Sequence, residues 1–149
     1  MSAPIISAPI AVAEAVSDEQ ILATRDVMRQ LRPHLPFEEY LPTVKRMMQS
    51  DGYRLLALYE KDAIVAVAGF RLMEKLSSGK TLYVDDLNTD ERARSRAHGK
   101  ALLDWLKREA KANGCVELHL DSGVHREAAH RFYFRERLTI RAYHFHVGV

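Results

Sequence analysis

The sequence is poor in cysteine and tryptophan and has no long apolar run. Its one cysteine, Cys115, has no partner for an intramolecular disulfide, so neither a disulfide-stapled fold nor an oxidising compartment is indicated. At the start of an expected strand, Cys115 reads as a buried, inert thiol. The seven histidines, His34, His98, His119, His125, His130, His144 and His146, are scattered. They match no established zinc spacing, and no metal is expected. No apolar stretch approaches the roughly 20 residues that a membrane helix needs. The apolar N-terminus lacks a basic start and contains Pro4 and Pro9, which marks a loose extension rather than a signal peptide. A net charge of +2 gives no general case for nucleic acid or an anionic membrane as partner. The expectation is a cytoplasmic protein that binds neither.

No internal repeat, low-complexity linker or second domain boundary interrupts the 149 residues. Residues 1–8 are expected to be the loose extension and 9–149 a single domain. A short first strand is expected over 9–14. Ser17 with Gln20 reads as a capping box opening a helix whose inner face is Ile21, Thr24, Met28 and Leu31, ended by Pro33 and Pro36. Phe37, Tyr40, Leu41, Val44, Met47 and Met48 recur at helical spacing over 37–50. Strands are expected over 53–59, 63–73, 81–89, 115–121 and 139–147, with helices over 97–113 and 126–136. Ala63–Phe70 is apolar on both faces and belongs mid-sheet. The sum is an α/β (α+β) domain: a central, twisted mixed sheet of about six to seven strands flanked by about four helices, with a parallel pair beside the 97–113 helix.

The segment Tyr83–Leu103 carries the strongest chemical signal. A strand runs into a polar turn, then into Arg94-Ser-Arg-Ala-His-Gly-Lys100, where a helix should begin. The first amides of a helix lack intrahelical partners, and the macrodipole makes that end positive. Small residues let a ligand approach the backbone, and flanking cations add charge. The pattern suits a diphosphate.

On these residues the chain resembles the GNAT superfamily of N-acetyltransferases. The family's Arg/Gln-x-x-Gly-x-Gly/Ala signature reads Arg94-x-x-Ala97-x-Gly99 here. A second pattern, Asn-x-x-Ala-x-x-Phe/Leu-Tyr, reads Arg126-x-x-Ala129-x-x-Phe132-Tyr133. Ala97 replaces a glycine, Arg126 an asparagine, and Arg137 a glycine that many members carry in the following turn.

The resemblance implies acetyl-CoA as donor and direct attack by a primary amine, of a small molecule or a protein, on the thioester. It implies that the amides of Arg96, Ala97, His98, Gly99 and Lys100 hold the diphosphate, with Ser95 as a hydroxyl donor and Arg94 and Lys100 supplying charge. Leu87, Asn88 and Thr89 would line the pantetheine arm, and Arg126 and Ala129 would complete the cofactor contacts. Tyr133 matches the position that often serves as the acid for the departing thiolate. Asp85, Asp86, Glu117 and His119 are candidate bases. Strict alternation points Asp85 and Asp86 to opposite faces, and Asp86, before Leu87, is the preferred one.

The acceptor pocket is implied near 28–41, 71–80 and 139–147, with His144 or His146 as further acceptor contacts. The final strand offers a surface for pairing in a homodimer. Two other readings compete: a non-catalytic acyl-CoA-binding or sensor domain, and a nucleic-acid binder built on Arg92–Lys100. Asp90, Glu91 and Asp104 interrupt the basic cluster and argue against the latter.

Overall fold

Three apolar segments in the middle of the chain set the architecture. The computed structural model describes residues 9–94 and 97–149; the expected extension 1–8, Ser95 and Arg96 lie outside them. β2 (Arg54–Glu60), β3 (Ala63–Lys75) and β4 (Gly79–Thr89) are successive antiparallel strands, and β1 (Ile10–Glu14) pairs antiparallel with β2. With β5 (Glu117–Leu120) they form one open mixed sheet in the order β1-β2-β3-β4-β5. The first three pairings are antiparallel, so β4 and β5 are the parallel pair, joined by helix α4 (His98–Ala112) as expected. β3 lies mid-sheet. Contact density divides the chain at His119, with Leu120–Val149 forming a second compact unit.

β2 and β3 bury side chains on both faces, so each face needs a cover. On one face Leu55 and Val67 pack with Ile21, Val27, Met28, Tyr40 and Val44. These come from α1 (Asp18–Ala23), α2 (Arg25–Leu31) and α3 (Tyr40–Asp51). α4 packs against β3 and β4 with Leu102, Leu103 and Leu106 fully buried, and Trp105 meets Phe70 edge-on at 6.0 Å.

Three expectations are corrected. The sheet has five strands among the described residues, not six to seven, because 139–147 forms no strand. Its residues alternate as a strand does, but alternation alone supplies no neighbour to pair with. Among the described residues there are five α-helices rather than about four, counting α5 (Glu127–Arg135), because the expected first helix is two. The Ser17–Gln20 capping box is present, but the helix tightens at Thr24. That amide bonds the Ile21 carbonyl at 3.1 Å, and its buried hydroxyl donates to the same carbonyl at 2.6 Å. α2 then starts afresh. Cys115 is half-buried rather than buried.

Candidate active site

β4 runs through the candidate site and carries an irregularity. Gly69 pairs with Asp86 while Phe70 pairs with Val84, so Asp85 is an extra residue, a β-bulge. The bulge breaks the strict alternation expected of Asp85 and Asp86. Arg32, the C-cap of α2, fastens it: Nε donates to Asp86 Oδ1 at 2.9 Å and Nη2 to the Asp85 carbonyl at 2.9 Å. Tyr53 donates its hydroxyl to the other Asp86 oxygen at 2.7 Å. Its ring lies so close over β3 that a Cβ at Gly69 would overlap it. Burial, then the Asp86 charge, pushes the Tyr53 phenol well above its ordinary range, so it stays a donor.

Asp85 accepts a two-pronged ion pair from Arg71, at 3.1 and 2.6 Å. Burial nevertheless raises its carboxyl above the usual value, with Arg71 opposing. Both aspartates are therefore ion-paired, and the preferred base, Asp86, uses one lone pair on each oxygen. Of the other candidate bases, His119 Nε2 and Glu117 Oε1 lie 3.5 Å apart on β5.

Beyond the bulge, β4 continues through Leu87, Asn88 and Thr89, paired on one side with Ala68, Val67 and Ala66 of β3. On the other side β5 starts opposite Lys80, where the Val116 amide bonds the Lys80 carbonyl at 2.9 Å. β5 has four residues against eleven in β4, so running parallel it ends before Leu87. The C-terminal part of β4 thus leaves a backbone edge on which an extended chain can lie. The Asn88 side chain is not part of that edge; it is buried and donates to the Val27 carbonyl of α2 at 3.0 Å.

The basic segment opens α4. Ala97 is the N-cap, in the left-handed region at φ 63°, with no side-chain cap and no acid in the first turn. Side-chain caps and acids normally satisfy this end of a helix; the Ala97 side chain is no cap and the first turn holds no acid to offset the positive end of the macrodipole, which fits the diphosphate reading. The side chains of the segment are engaged elsewhere. His98 is buried with Nε2 2.9 Å from Glu60 of β2, Lys100 pairs with Asp104 at 3.0 Å, and Arg94 Nε donates to the Thr89 carbonyl at 3.4 Å. The contacts expected of Ser95 and Arg96 lie outside the described residues.

In the second unit Arg126 is the N-cap of α5, and Ala129 and Tyr133 lie on that helix. Tyr133 is buried, which raises its phenol above the ordinary value; the Arg126 charge and a hydrogen bond from its side chain oppose the rise. Arg137 sits at φ 66°, the left-handed region that favours glycine. His144 Nδ1 lies 2.7 Å from Asp121.

The network Arg32–Asp86–Tyr53, the Asn88–Val27 bridge and the His98–Glu60 anchor were not anticipated. Each joins residues far apart in sequence, and no local pattern marks them.

Residues 19–138 match the model of the Acetyltransferase (GNAT) family. The chain is 35% identical over 133 residues to the uncharacterized N-acetyltransferase YhdJ of Bacillus subtilis (strain 168), covering 89% of this chain and 94% of that protein. In fold it is similar to the aminoglycoside N-acetyltransferase AAC(6')-Iy solved with CoA, at TM-score 0.82 and 14% identity, covering 97% of this chain and 99% of the other. A ribosomal-protein-alanine N-acetyltransferase from Brucella melitensis biovar Abortus 2308 gives TM-score 0.80 at 15% identity, covering 95% and 100%. The chain belongs to the acetyltransferase (GNAT) family.

Proposed function

We propose that this N-acetyltransferase, with acetyl-CoA as its donor, transfers the acetyl group to a primary amine by direct attack, using β4 and the start of α4 to hold the donor. The start of α4, where Ala97 takes a left-handed conformation and no acid stands in the first turn, carries the proposal. The amides at 96–100 hold the diphosphate, with Ser95, Arg94 and Lys100 beside it. The backbone of Leu87, Asn88 and Thr89 takes the pantetheine arm as an added strand, and Arg126 and Ala129 complete the donor contacts. An amide on this edge polarises the thioester carbonyl as the amine adds.

Asp86 keeps a free lone pair on each oxygen and accepts the proton that the attacking amine must lose, directly or through water. As the C–S bond breaks, Tyr133 gives its phenolic proton to the CoA thiolate. Its raised pKa supports this role by keeping the proton on the oxygen at neutral pH, and Arg126 stabilises the phenolate that forms. Tyr133→Phe should lower kcat by about tenfold to a hundredfold with acetyl-CoA affinity unchanged. A thiol-release assay and calorimetry measure the two, and an unaltered kcat would return Tyr133 to a packing role.

The partner reading is a homodimer acting in the cytoplasm. Tyr143, Phe145 and Val147 alternate along the C-terminal segment at 84%, 89% and 83% exposure. Among the described residues this strand-like apolar stripe pairs with no strand, and β5 ends the order of the sheet. Two copies can supply each other's missing neighbour. Sedimentation should give a dimer, and Tyr143→Asp with Phe145→Asp a monomer. A monomeric parent chain would overturn the reading.

A further inference from the structure

α2 presents a second basic surface. Arg25, Arg29 and Arg32 follow one another at helical spacing of four and three, so they share one side of the helix. With Met28, Leu35, Phe37 and Tyr40 they line a shallow, open cleft whose described lining residues include no carboxylate. Arg25 stacks its guanidinium on the Phe37 ring, 3.3 Å from the centroid, and Arg29 approaches the same ring at 5.4 Å. The stack orients a planar fork of donors. Arg25 Nε is buried without a hydrogen-bond partner. Among the described residues, neither Arg25 nor Arg29 is in an ion pair. Two permanent, uncompensated charges in a concave surface raise the local anion concentration, and guanidinium forks match carboxylate and phosphate oxygens two at a time.

Arg32 connects this cleft to the bulge. It uses Nε and one Nη2 hydrogen on Asp86 and the Asp85 carbonyl, leaving three of its five donors for another group. Asp86 immediately precedes Leu87, where the proposed donor edge begins. A molecule anchored on Arg25 and Arg29 therefore lies beside the side chain that holds Asp86. A cationic end placed there is attracted by Asp86, and an anionic end in the cleft by the arginines.

We propose that this cleft binds the anionic group, a carboxylate or a phosphate, of the amine that the enzyme acetylates, with Arg25 and Arg29 as its ligands and Arg32 as the link to the β4 bulge. The inference rests on the acetyl-transfer reading above and adds the class of acceptor: an amine bearing an acidic group.

The test compares 5-aminopentanoate (carboxylate), O-phosphoethanolamine (phosphate) and cadaverine (a second amine in place of the anion) in the thiol-release assay. At least one anionic amine should exceed cadaverine in kcat/KM by about tenfold or more, as charge-assisted hydrogen bonds require; which one does separates carboxylate from phosphate. Arg29→Ala, at an exposed position, should cost about tenfold through KM. Adding Arg25→Lys should deepen the loss, since lysine keeps the charge but not the fork. Acetyl-CoA affinity should stay within about twofold, because the cleft is not the donor site.

Equal rates for cadaverine, or an anion preference that survives both substitutions, would overturn the proposal. So would a loss of CoA affinity in Arg29→Ala, which would assign the cleft to the donor's own phosphates. Failure to bind acetyl-CoA in the parent chain is instead the failure of the acetyl-transfer reading. In that event titration with inorganic phosphate still decides for the cleft: weak binding lost in Arg29→Ala supports it, and no binding overturns it.

Discussion

The chain has two basic segments, one at the start of α4 and one along α2, and their charges are used in opposite ways. Around α4 the cations are mostly spent within the protein. Arg92 bonds Asp90 through its backbone amide, Nε and Nη2, at 3.0, 3.2 and 2.8 Å. Those bonds, the side-chain ones first, hold the Asp90 carboxyl far below the usual carboxylate range. Lys100 pairs with Asp104 and Arg94 reaches a carbonyl of β4. What this segment offers a ligand is the positive end of a fifteen-residue helix with no acid in its first turn. Along α2 the backbone is consumed by the helix, and the side chains of Arg25 and Arg29 are what remain. The proposed donor site is built from amides and suits a diphosphate lying along the chain. The other is built from guanidinium forks and suits a single terminal anion. Counting cations in the sequence cannot separate the two; the placement of the acids does.

The substitution with the largest expected effect is Gly99→Glu, which aims at the α4 side of this contrast. It places bulk and negative charge against the diphosphate and should weaken acetyl-CoA binding by at least about a hundredfold, measured by calorimetry, since like charge and lost approach act together. The fold should survive. Glutamate is a better helix former than glycine, and an acid in the first turn favours the macrodipole. An unchanged thermal midpoint alongside lost binding identifies the donor site. Unchanged affinity would move the diphosphate away from α4. A loss of anionic-acceptor affinity equal to that caused by Arg29→Ala would instead erase the distinction between the two segments.

The parts legible in the sequence are those fixed by local pattern. The apolar runs at 53–59, 63–73 and 81–89 form β2, β3 and β4, the Ser17–Gln20 box caps α1, and the small-residue segment before Leu102 opens α4. The departures from glycine were informative as well. Ala97 and Arg137, the two positions where the family resemblance expects glycine, both take left-handed φ values, so the backbone keeps the conformation after the residue has changed. What stayed hidden depends on partners distant in sequence. The bulge at Asp85 exists only in the register of β4 against β3. Asp86 is held by Arg32 and Tyr53, Asn88 by Val27, and His98 by Glu60. The sequence over 139–147 predicts a strand, yet pattern describes only one half of a pairing.

Ala97 gives the smallest expected effect and refines the α4 side of the comparison. An L-residue at φ 63° brings its Cβ close to the following carbonyl, which costs about 1 kcal/mol. Glycine has no such cost but gains entropy in the unfolded chain, which returns about 0.4–1 kcal/mol of it. Ala97→Gly should therefore leave stability level or raise it by up to about 0.6 kcal/mol, which for a chain of this length is a rise of at most about 2 °C in Tm. Donor affinity should improve by a few-fold at most, because removing one methyl group lets the backbone approach the phosphates more closely. A drop in Tm would mean that the strain is already relaxed at Ala97. A marked loss of donor affinity would mean that the methyl group, and not only the amides, positions the diphosphate. The α2 cleft, made from side chains, should not register the change at all.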